Sequence, residues 1–71
     1  MIILGEPNNP WICMVEDHVD ADTFIRLLSD AGYTIRPGQK FTHEYWIHDE
    51  DGWRKSSKHR ANSRPVTVVR W

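Results

Sequence analysis

Apolar side chains at Phe24, Leu27, Leu28 and Ala31 recur at i, i+3, i+4 and i+7, a spacing that lays one stripe along a helix. This predicts the chain's one convincing helix. Asp20 or Asp22 can cap its start by accepting from backbone N–H groups that lack a partner in the first turn, and early carboxylates suit the helix dipole. Gly32 stands where a left-handed residue closes a helix, and Tyr33 can fold back on the stripe.

Elsewhere the pattern is that of strands. FTHEYWIH alternates, with Phe41, His43, Tyr45 and Ile47 on one face and Thr42, Glu44, Trp46 and His48 on the other. WICMVE has strand length and an apolar bias, as a strand buried on both faces has. MIIL reads as a short first strand stopped by GEPNNP, and TIRPGQ as an extended piece with a Pro-Gly turn. DEDG is turn chemistry, and the β-branched PVTVVRW reads as the last strand. The expected fold is α+β in two layers, one helix packed on an antiparallel sheet of three to four strands. Residues 1–71 are expected to form a single small domain, with no repeat or low-complexity segment.

Composition narrows the class. A chain of 71 residues holds one core, and 39% hydrophobic with 27% charged residues belongs to a globular domain rather than a disordered one. The single cysteine, Cys13, cannot form an internal disulfide, and IIL is followed at once by GEPNNP rather than by a secretory core. The expectation is a reducing cytoplasm. WICMV, the longest apolar run, is far too short to span a bilayer, so no membrane partner is expected.

Charge changes the picture more. Residues 1–51 hold all ten acids and only Arg26, Arg36 and Lys40, a balance of −7. Residues 52–71 hold Arg54, Lys55, Lys58, Arg60, Arg64 and Arg70 and no acid, a balance of +6. Such asymmetry points to a charged partner. Residues 52–64 read as a basic loop, too polar to bury and too long for a tight hairpin turn.

Candidate chemistry is sparse. His18, His43, His48, His59 and Cys13 show no zinc-ligand spacing, and Asp49-Glu50-Asp51-Gly52 lacks the downstream glutamate of a calcium loop. Cys13 lies in the most hydrophobic stretch, where burial silences a thiol. Ser29, Ser56, Ser57 and Ser63 sit in no nucleophile motif, and the four glycines form no phosphate-cradling loop. No metal, cofactor or small-molecule substrate is expected.

One stretch carries a family resemblance. FIRLLSDAGYTIRPGQKFTHEYWIHDEDG, residues 24–52, resembles the first half of HicA-type mRNA interferases, small toxins with a double-stranded-RNA-binding-domain-like fold. The helix ends in Ala31-Gly32-Tyr33, and His43 falls near the family's catalytic histidine, with Lys40-Phe41-Thr42-His43 in place of a Gly-Ser-His run. The resemblance implies a ribonuclease in which His43 is catalytic.

Trp11, Trp46, Trp53 and Trp71 are more tryptophans than so small a core needs, and exposed Trp and Arg dominate binding hot spots. The expected contact surface is therefore Trp46 and Trp53 as anchors, with Arg54, Lys55, Lys58, Arg60 and Arg64 giving steering and register. Size and type resemble the small inhibitors that bacteriophages and mobile elements make against host machinery such as RNA polymerase or CRISPR effectors. The leading expectation is a non-catalytic module that docks on a larger host protein or nucleoprotein complex and blocks it. A nucleic-acid-binding regulator using the basic loop is the alternative, less favoured because the rest of the chain carries −7.

Overall fold

The computed structural model of the chain describes residues 12–71, so the expected MIIL strand and Trp11 lie outside the described residues. The elements run β1 (Ile12–Glu16), α1 (Ala21–Asp30), β2 (Phe41–Asp49), β3 (Gly52–Ser56) and β4 (Arg64–Arg70). The strands form one antiparallel sheet in the order β1-β4-β2-β3. This is the expected α+β arrangement of one helix on a four-stranded sheet.

The helix forms for local reasons. Asp20 is the N-cap, and its carboxylate accepts from the Thr23 N–H at 2.9 Å. That bond holds the Asp20 carboxyl below its ordinary range. At the other end Tyr33 N–H donates to the Leu28 carbonyl and Gly32 N–H to that of Ser29, a paired closure that needs a left-handed residue. Gly32 supplies it with φ of 93°. Phe24 and Leu28 are fully buried and Leu27 packs beside them, whereas Ala31 of the expected stripe is the exposed C-cap.

The sheet is apolar on both faces. On the helix face Cys13, Val15 and Val69 pack with Phe24 and Leu28, and Val19, Leu27, Tyr33, Ile35 and Phe41 close the rim. On the opposite face Ile12, Met14, Trp46, Val66 and Val68 form a second buried cluster, with Trp53 packed against it. β1 is buried from Ile12 to Val15, as a strand apolar on both sides should be.

Two expectations are corrected here. Residues 52–64 are not one loop: Gly52–Ser56 is an edge strand paired with β2, and β4 begins at Arg64, which leaves 57–63 as the connection. An edge strand pairs on one side only, so Arg54 and Lys55 remain solvated while their backbone is held in a ladder. The DEDG turn stands as read, with Asp51 N–H bonded to Asp49 Oδ1 at 3.0 Å and Gly52 at φ 96°. The second correction concerns Trp46. Its residue exposure is 9%, because Thr42↔Val68 and Glu44↔Val66 pairing places the mixed face of β2 beside an apolar face of β4.

Gly32→Ala is expected to lower stability by roughly 1 kcal/mol. A methyl group there meets no neighbouring atom, so the cost is the left-handed φ alone. Urea denaturation checks it; an unchanged midpoint would contradict the closure described above.

Candidate binding surface

α1 covers only part of its face of the sheet. Of β2, the cluster beneath the helix includes Phe41 alone, so His43, Tyr45 and Ile47 continue beyond it along the same face. Their cross-strand neighbours fix what lies beside them. Tyr45 is opposite Ser56, and Ile47 is opposite Arg54.

The β1–α1 connection brings in a residue that the sequence did not nominate. Asp17 turns the chain at φ 70°, its N–H bonded to the Pro65 carbonyl at 2.8 Å. Thr67, a buried polar residue of β4, anchors the following segment by accepting from the Val19 N–H at 2.9 Å. His18 is thereby laid over β2. Its Nε2 is 3.3 Å from the Glu44 carbonyl oxygen, a contact that requires the proton on Nε2. The His18 ring stacks on His43 with centroids 4.6 Å apart and planes 3° from parallel, and meets Tyr45 edge-on at 5.3 Å. No spacing rule links residues 18 and 43. Only the turn at Asp17 and the Thr67 anchor join them.

Next to these rings lies a shallow open concavity of about 460 Å³, lined by Ile47, Arg54, Lys55, Ser56, Ser57 and Arg60. The connection after β3 shapes its rim with two successive turns, Arg60 N–H to the Ser57 carbonyl and Ser63 N–H to that of Arg60. Arg54 pairs with Asp49 at 2.9 Å, which orients its guanidinium, and Lys55, Lys58 and Arg60 are exposed. Arg64 stands apart, paired with Glu16 at 3.5 Å. The sequence-expected contact set thus divides. Arg54, Lys55 and Arg60 share one concavity, with Lys58 in the adjoining connection. Trp46 is buried in the second core cluster on the other face, which removes it as an exposed anchor, and Trp53, half-buried, packs against that cluster on the same face.

Two further groups bear on the chemistry. Burial pushes the Cys13 thiol up, only partly opposed by a hydrogen bond with Tyr33, and its residue is 1% exposed. Glu44 is a buried carboxylate on the second face, with four donors on its two oxygens. Arg70 binds both, at 2.7 and 2.8 Å, Thr42 Oγ1 donates at 2.6 Å and Trp46 Nε1 at 2.9 Å. The Arg70 bonds are the chief cause of its pKa being lowered to about 2. Among the described residues no group of three or more His, Cys, Asp or Glu side chains is arranged to hold a metal ion. No helix among them is long and apolar enough to cross a membrane.

Fold and surface define a small α+β domain with a basic, ring-flanked sheet edge. In comparison with known proteins, no family model, no curated sequence and no solved structure matches the chain.

Proposed function

We propose that this chain is a non-catalytic binding module that docks on a larger protein or nucleoprotein machine through an anionic patch of that partner. The observation that carries the reading is the placement of Arg54 and Arg60 on one open concavity, whose lining Lys55 completes from the next position of the edge strand. Cations gathered this way attract and orient an anionic surface and speed encounter. Glu16 and Glu44 are paired with Arg64 and Arg70, away from the concavity, whereas Arg54 is shared with Asp49, so an incoming anion competes with that carboxylate. The action fits a phage or mobile-element inhibitor that occupies a site on host machinery in the bacterial cytoplasm.

The test is affinity capture from a bacterial lysate with the parent chain and with Arg54, Lys55 and Arg60 all changed to Glu. Nuclease-treated and untreated arms run in parallel. The parent should retain a defined complex and the reversed variant should lose it, while both keep the same melting profile. A complex retained equally by the two would remove the reading.

A ribonuclease using His43 is a second reading, favoured by one observation: His18 places a second imidazole against His43. It requires metal-free cleavage of RNA that His43→Ala abolishes with the fold intact. No cleavage is expected. His43-dependent degradation of single-stranded RNA would replace the module reading.

A further inference from the structure

We infer that the anion this module contacts is single-stranded nucleic acid, held with bases on the His18–His43–Tyr45 rings and phosphates at Arg54 and Arg60. The inference rests on the module reading and names the chemistry of its partner. Three observations meet here. The rings form a continuous group, His18 stacked on His43 and edge-on to Tyr45, on a stretch of sheet beyond the helix-covered cluster. His18 and His43 are exposed and Tyr45 is half-buried, so the ring group lies at the surface, with the His18–His43 stack taking up one face of each imidazole. The basic concavity is contiguous with them, because Ser56 lies opposite Tyr45 and lines it.

The ring chemistry suits one strand rather than two. Tyr45 and Arg54 are diagonal neighbours on adjacent strands of one face, about 7–8 Å apart. A base stacked on Tyr45 or His43 therefore has its backbone within reach of the Arg54 guanidinium. Stacking needs the π-face of an unpaired base, which a duplex keeps inside. The Tyr45, Ser56 and Ser57 hydroxyls can serve sugar and base edges as donors or acceptors. Acids bound the surface at the β2–β3 end, where Asp49 pairs with Arg54 and Glu50 and Asp51 form the turn.

The experiment is fluorescence anisotropy with the full chain and labelled ten-nucleotide RNA and DNA strands of mixed sequence, beside the same sequences as duplexes. Salt is titrated from low to physiological ionic strength. Both single strands are expected to bind, with affinity falling as salt rises, and the duplexes about tenfold or more weaker. Tyr45→Ala and His43→Ala should each weaken single-strand binding about tenfold with an unchanged salt slope, while Tyr45→Phe keeps it. Arg54→Gln and Arg60→Gln should each make the slope shallower by about one phosphate's worth. Duplex binding equal to single-strand binding overturns the inference, as does unchanged affinity in a folded Tyr45→Ala, His43→Ala double variant. If no oligonucleotide binds but charge-dependent capture survives nuclease, the partner is a protein and only this inference fails. If capture fails as well, the module reading falls with it.

Discussion

Leu28→Ala is expected to lower the unfolding free energy by roughly 3–5 kcal/mol and to shift the thermal midpoint down by more than ten degrees. Leu28 has no exposed surface and packs with Phe24, Cys13, Val15 and Val69 beneath the only helix among the described residues. Truncation removes its transfer free energy and leaves a cavity, because one helix held at both ends cannot settle into the space. A domain of 71 residues has only roughly 4–10 kcal/mol to lose. Much of the population should then be unfolded at physiological temperature. Differential scanning calorimetry checks this, and a variant that melts with the parent would mean that α1 is not seated as described.

The second large effect lies at Glu44. Glu44→Gln should destabilise the domain by about 2–3 kcal/mol, because the carboxamide cannot accept from all four donors and leaves Arg70 without its counter-charge. The lower end is the better expectation, since the Arg70 side chain is 47% exposed and water partly replaces its partner. The same site sets a pH dependence. With the folded pKa lowered to about 2 from an ordinary 4.5, the folded state binds the Glu44 proton less readily than the unfolded chain. Its stabilisation is complete above about pH 4.5 and drains away as pH falls through about 2. Denaturation curves between pH 6 and pH 2 should show a loss in the parent that Glu44→Gln lacks. Parallel losses in the two proteins would place the acid sensitivity elsewhere.

The local elements were legible because their causes are local. The stripe at Phe24, Leu27 and Leu28, the cap at Asp20 and the left-handed closure at Gly32 lie within a few residues of what they act on. The alternation of residues 41–48 placed Trp46 and Glu44 on one face of β2 and His43 and Tyr45 on the other, as the structure has them. Even the Cys13 thiol could be read as a buried one from its apolar neighbours. β3 was missed because GWRKS carries almost no periodic apolar signal. An edge strand needs none, since its ladder is backbone and its cations stay in water.

By itself the sequence determined the helix, the strands β1, β2 and β4, the apolar stripe of the helix, and that the charge divides near residue 52. Only the tertiary structure decided what each face meets. β4 lies between β1 and β2, so Val66 and Val68 stand beside Trp46 and turn a seemingly solvated indole into core. The same pairing leaves β3 at the edge, where Arg54 and Arg60 line one concavity. The turn at Asp17 and the Thr67 anchor carry His18 onto His43, 25 positions away along the chain. Such meetings depend on strand order and register, which are fixed by burying apolar area across the whole sheet at once. No short window of sequence contains that information.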